Sequence, residues 1–167
     1  MLKVIRATTI ILTLSLMTFI FYMSSQTADK SSASSSSFIE FFAKIFISNF
    51  ERLPFEEQAS IISSFQFIVR KGAHFSVYAL LGGFSYLSVI TYNKIPFKIC
   101  SVISASICLI YSVSDEIHQS FVPGRSCELR DVCIDFSGSL LVILILTLIF
   151  KYSKFKLTKY LRGENYA

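Results

Sequence analysis

Four apolar stretches, at about residues 4–23, 72–92, 95–114 and 132–150, constrain this chain more than any other feature. Each holds roughly twenty residues, which at about 1.5 Å per residue makes a helix about 30 Å long, the thickness of a bilayer's hydrocarbon core. Of the 167 residues 53% are apolar and only 16% charged, well under the usual share of about a quarter. A soluble domain of this size has nowhere to hide so much apolar surface, whereas lipid can take the place of a core. The expected fold class is all-α: a polytopic membrane protein, one domain over 1–167, built as a bundle of four transmembrane helices.

The first stretch follows Lys3 and spans Arg6. A cleaved signal peptide is the rival reading, but its apolar region is normally shorter and no Ala-x-Ala site follows, so a retained helix is expected. Residues 24–37 are serine-rich and read as a loop. Phe38, Phe41, Phe42, Ile45 and Phe46 then recur at helical spacing with Glu40 and Lys44 among them. The segment 38–50 is too short to span, so it is expected as an interfacial amphipathic helix in the first outer loop. Pro54 followed by Glu56 and Glu57 marks another helix start, which runs through Phe65 toward the second span. Gly72, Gly82 and Gly83 give that span small residues for close packing. Asn93 to Pro96 is a short turn, helical character continues past Ser114 to about Phe121, and Pro123-Gly124 forces a turn.

A net charge of +5 raises the question of nucleic acid. The cations, however, lie beside apolar runs and not in one patch with interleaved aromatics, so they read as topology signals and no nucleic-acid partner is expected. With both ends inside, the cytoplasmic segments hold Lys3, Arg6, Lys94, Lys98 and the tail's Lys151, Lys154, Lys156, Lys159 and Arg162 against the one acid Glu164. The outer segments, 24–71 and 115–131, balance their cations with acids. Both termini are therefore expected in the cytoplasm. Cys100 and Cys108 read as small buried hydrophobes. Cys127 and Cys133 lie near the outer face, where either a disulfide or two free thiols fits, and no paired framework is visible.

The chemistry lies in the polar groups near that face. In a helix, Asp115, His118 and Gln119 share one side, with Glu116 beside them. Asp131 and Asp135 are one turn apart, with Gly138 continuing the stripe. Arg70 and Lys71 precede His74, and Tyr78 follows one turn later. His74 and Asp135 fall about one turn inside the bilayer on the same side, where an unpaired charge is expensive, so these groups should point inward and find partners. Arg70, Lys71 or Arg125 can pair with Asp115, Asp131 or Asp135. Anchoring of helix ends accounts for Arg70 and Lys71 alone, and a solvated loop for Glu128 and Arg130. It does not account for so many costly groups at one depth. Histidine with carboxylates makes a metal-ligand set or an acid/base pair. The zinc-protease motif His-Glu-x-x-His is absent, and a divalent metal is compatible with the pattern but required by no motif. Arg125, after Pro-Gly, can clamp a phosphate or carboxylate through two donors. Ser24 and Ser25 are nucleophile candidates by depth alone.

Four pieces of this pattern resemble the VanZ family of bacterial membrane proteins. They are Ser24-Ser25-Gln26; Arg70-Lys71-Gly72-Ala73-His74-Phe75 with Tyr78; Ser114-Asp115-Glu116-Ile117-His118-Gln119 with Phe121-Val122-Pro123-Gly124-Arg125; and Asp131 with Asp135 and Gly138. The resemblance implies a four-helix protein of the bacterial cell membrane, in a family whose name-giving member is associated with low-level resistance to the lipoglycopeptide teicoplanin. It carries over motif positions as a site, without assigned catalytic roles. Three functions remain open. A non-enzymatic envelope protein would bind a lipidated or lipid-linked anionic molecule, such as a cell-wall precursor or a lipoglycopeptide, through Gln26, Arg70, Lys71, Tyr78, Gln119, Arg125, Asp131 and Asp135. A membrane-embedded hydrolase or transferase would use His74 or His118 as acid/base with Asp115, Glu116, Asp131 or Asp135 as partners. A structural bundle would pair every charge and leave no pocket.

Overall fold

The structure, a computed structural model, describes residues 2–92 and 95–152. Positions 93 and 94 of the expected 93–96 turn, and the part of the basic tail from 153 onward, lie outside the described residues. Five α-helices follow in order: α1 (Leu2–Ser24), α2 (Ala28–Phe46), α3 (Phe55–Ile90), α4 (Phe97–Gln119) and α5 (Leu129–Tyr152), with a single turn of 3-10 helix at Phe50–Arg52. Among the described residues there is no strand. Helices α1, α3, α4 and α5 are each long and apolar enough to cross a membrane. With 36 residues, α3 is the longest. At about 1.5 Å per residue it reaches roughly 54 Å, well beyond the ~30 Å of a hydrocarbon core. Its first half therefore extends past the membrane core, and α2 packs back along it.

The serine-rich segment corrects the loop expected over 24–37, because helix α2 begins at Ala28. Serine is a weak helix former, since its hydroxyl competes for backbone groups. Here the hydroxyls turn back onto their own helix, Ser34 to the Lys30 carbonyl at 3.0 Å and Ser35 to that of Ser31 at 2.9 Å. Gln66 of α3 donates across the gap to the Ser32 carbonyl at 3.2 Å and to Ser36 Oγ at 3.3 Å. Small serine side chains let the two helices approach, and that tertiary contact overrides local propensity. The helix also ends at Phe46, earlier than expected. Asn49, with φ 61° in the left-handed region asparagine tolerates, turns the chain away. The face that α2 presents to the protein is Ile39 and Ala43, while Phe38, Phe41, Phe42, Ile45 and Phe46 are exposed. The aromatic stripe thus faces away from the rest of the protein.

Within the bundle α3 is the central helix, packed on α1, α4, α5 and α2. Two glycines set its approach to α5. A Cβ on Gly82 would collide with the Ser139 backbone, and one on Gly138 with the Phe75 carbonyl. Ser139 then donates to the Tyr78 carbonyl at 2.9 Å. Gly72, expected to share this role, meets nothing within 4 Å. Helix α4 turns a stripe of small residues inward at four-residue spacing, Cys100, Ser104, Cys108 and Ser112, which leads up to Asp115, Glu116 and Gln119. At the opposite end of the bundle Arg6 donates to the carbonyl of Thr91, the C-cap residue of α3, and lies over the Tyr92 ring at 4.2 Å. Cys127 and Cys133 are free and exposed.

Candidate functional site

The C-terminal ends of α1 and α4, the N-terminal end of α5 and the middle of α3 meet at one end of the bundle. Their polar residues form three linked groups. The first is centred on Asp115, 3% exposed. Its Oδ2 accepts from Ser24 Oγ at 2.8 Å, from the Tyr78 hydroxyl at 3.2 Å and from Gln119 Nε2 at 3.2 Å. Three neutral donors from three helices thus converge on one carboxylate oxygen, which knots α1, α3 and α4 together. Its Oδ1 is buried without a partner among the described residues.

The second group lies between α3 and α5. Lys71 pairs with Asp131, and His74 Nδ1 sits 3.5 Å from Asp135 Oδ1. Asp135, 2% exposed, is inside a membrane-spanning helix, where an unpartnered carboxylate would be costly. Gly138, one turn below, lets α5 come close enough to α3 for that contact. Glu116, 1% exposed, points to the same side of α4 and accepts the Glu128 backbone N–H at 2.7 Å through Oε1. That bond fastens the 120–128 loop back onto the bundle.

The third group is the mouth. Arg125 N–H donates to the Val122 carbonyl at 3.1 Å, and Gly124 has φ +77°. This is the type II turn that Pro then Gly at its two central positions dictates. It aims the Arg125 side chain back across the bundle end, where Nε donates to the Gln26 carbonyl at 3.3 Å and Nη1 to Gln119 Oε1 at 3.2 Å. A cavity of about 220 Å³ opens here. Its charged lining is Arg70, Lys71, Arg125, Arg130, Glu128 and Asp131, with Phe67 as its largest apolar wall. Arg130 lies over the Phe67 ring at 5.1 Å and reaches Glu128 at 2.7 Å. Burial first, then the charge of Arg70, pulls the Arg125 guanidinium below its usual pKa. Arg70 itself has no ion pair or side-chain hydrogen bond among the described residues.

Of the residues singled out from sequence, Gln26, Arg70, Lys71, Tyr78, Gln119, Arg125, Asp131, Asp135, Asp115, Glu116 and His74 all fall in these groups. His118 stands apart. It stacks on Phe21 with ring centroids 4.2 Å apart, and Ser25 Oγ lies 3.0 Å from its Nε2. The expected common face of Asp115, His118 and Gln119 therefore divides, with the acid and amide turned inward and the histidine turned to α1. Ser24 and Ser25, nucleophile candidates by depth alone, are placed as hydrogen-bond partners, Ser24 of Asp115 and Ser25 of His118. Glu128 was read as a solvated loop residue, yet its backbone and side chain both take part. Among the described residues no three His, Cys, Asp or Glu side chains converge as a metal site.

Fold and site together define a polytopic helical membrane protein with a cation-lined cavity at one end of its bundle. The family model described as VanZ/LLP1 matches residues 9–151. The chain belongs to the VanZ family. No curated protein and no solved structure matches it.

Proposed function

We propose that this VanZ-family protein sits in the bacterial plasma membrane, both termini cytoplasmic, and binds the anionic polar group of a lipidated or lipid-linked molecule at the outer leaflet. The observation that carries this reading is the cavity in which Arg70 has no partner among the described residues and Arg125 spends its donors on neutral acceptors. A guanidinium held half-buried beside another cation is a ready receptor for an anion. The distribution of Lys and Arg along the chain supports the orientation. A lipid-linked cell-wall precursor and a lipoglycopeptide both belong to this ligand class, and either would connect the protein to teicoplanin susceptibility. In nanodiscs, Arg125→Gln is expected to weaken binding of an anionic headgroup at least about tenfold, or ~1.4 kcal/mol. Unchanged affinity would rule the clamp out.

A second reading, a membrane-embedded hydrolase or transferase on the same ligand class, draws on the His74–Asp135 contact, the arrangement of a general base and its orienting carboxylate. Against it, neither histidine lines the cavity. The Ser25 hydroxyl also donates to the Phe21 carbonyl at 2.7 Å, which leaves it an acceptor toward His118 and no activated nucleophile. Purified protein incubated with a labelled lipid precursor, with and without divalent metal, separates the two. Turnover abolished by His74→Ala would establish catalysis, and its absence leaves binding.

A further inference from the structure

The charges lining the cavity do not cancel, and the way they fail to cancel constrains the ligand. Lys71 is committed to Asp131. Arg130 is committed to Glu128 at 2.7 Å and stands 3.9 Å from Asp131. Those four groups sum to zero. What remains in the lining is Arg70, with no partner among the described residues, and Arg125, whose guanidinium bonds only to the Gln26 carbonyl and the Gln119 amide. Asp115 and Glu116 lie behind the wall, held by neutral donors and by neither arginine. The cavity thus presents two guanidinium groups without a contacting carboxylate, one from α3 and one from the Pro-Gly turn, while Glu116, Asp115 and Asp131 act on Arg125 only from beyond ion-pair distance.

We infer, building on anion binding at this site, that the polar group it takes is a doubly charged phosphoryl head, a phosphomonoester or a diphosphate, in preference to a singly charged phosphodiester or carboxylate. Two guanidinium forks approaching from different elements can each take a pair of oxygens, and a phosphomonoester or diphosphate has enough terminal oxygens to serve both. A carboxylate has two oxygens and fills one fork. A phosphodiester offers two unesterified oxygens and one charge, which leaves one half-buried guanidinium without a contacting anion. A cavity of about 220 Å³ has room for such a head.

The test uses full-length protein in phosphatidylcholine nanodiscs. Retention of phosphatidic acid, a phosphomonoester lipid, is compared with retention of phosphatidylglycerol, a phosphodiester lipid, by native mass spectrometry. Inorganic phosphate and inorganic diphosphate are titrated separately by calorimetry. Wild type should retain phosphatidic acid at least tenfold over phosphatidylglycerol. Arg70→Gln should bring that ratio to within about twofold, while Arg70→Lys, which keeps the charge, loses the fork and guards against a folding defect, should fall between that ratio and the wild-type one. Diphosphate binding as tight as lipid retention would identify a soluble source of the same chemistry, and weak diphosphate binding a lipid one; both support the two-charge site. Equal retention of the two lipids, lost together in Arg125→Gln, would overturn this inference while leaving anion binding intact. Retention of neither above phosphatidylcholine would overturn the anion-binding reading as well.

Discussion

At the scale of single residues, the site is organised by what a membrane does to unsatisfied polar atoms. Asp115 Oδ2 draws three donors because burial leaves it no water, and each donor comes from a different place in the chain. Tyr78→Phe removes one of them without changing shape. It is expected to destabilise the protein by about 1 kcal/mol, within the range for a single hydrogen bond in water or in a bilayer. Chemical unfolding in detergent would show it, and no change would mean that the hydroxyl makes no contribution at Asp115. The sequence made it plain that histidines, acids and arginines share one depth, since depth follows from position along a span. It did not make plain which acid meets which base. Lys71 with Asp131 and His74 with Asp135 were two of several allowed pairings, and Arg70 without a partner was not foreseen. The choice depends on the rotation of each helix about its axis, which apolar spans, greasy on every side, leave unmarked.

At the scale of elements, the four spans were legible because lipid demands long apolar helices, whereas α2 was half-read. Its aromatic stripe announced a helix from Phe38 onward. The serines before it hid the first turns, which are held by Gln66 from the far side of the contact. Glycine placement was likewise only partly legible. Gly82 and Gly72 look alike in sequence, yet a methyl group on the first would strike the Ser139 backbone and one on the second would meet nothing. Gly82→Ala is expected to destabilise the α3–α5 pair by about 1–3 kcal/mol through overpacking. Gly72→Ala should be neutral or stabilise by up to about 1 kcal/mol, as removing glycine from a helix does. Thermal unfolding of the two variants side by side would check this, and equal effects would contradict the packing described. For α2, the sequence contains no tryptophan, so Phe41→Trp gives a single probe. Its fluorescence should be quenched by lipids brominated near the headgroup; quenching by aqueous iodide alone would place the stripe in water.

At the scale of the whole molecule, the bundle places apolar surface against lipid along its length and gathers its costly groups at one end. The long α3 links these two regions, since Arg70 and Lys71 mark where its membrane half meets the half that carries α2. The proposed ligand, with its apolar part in the bilayer and its anionic part at the outer surface, requires the cavity to open away from the cytosol. Cys127 gives direct access to that question, because it is exposed in the loop beside the cavity while Cys100 and Cys108 are buried. In a Cys133→Ser background, a membrane-impermeant maleimide added to intact cells after mild reduction should label Cys127 fully, and Cys127→Ser should abolish the signal. Labelling that appears only after the membrane is permeabilised would turn the arginine cavity toward the cytosol and contradict binding at the outer leaflet.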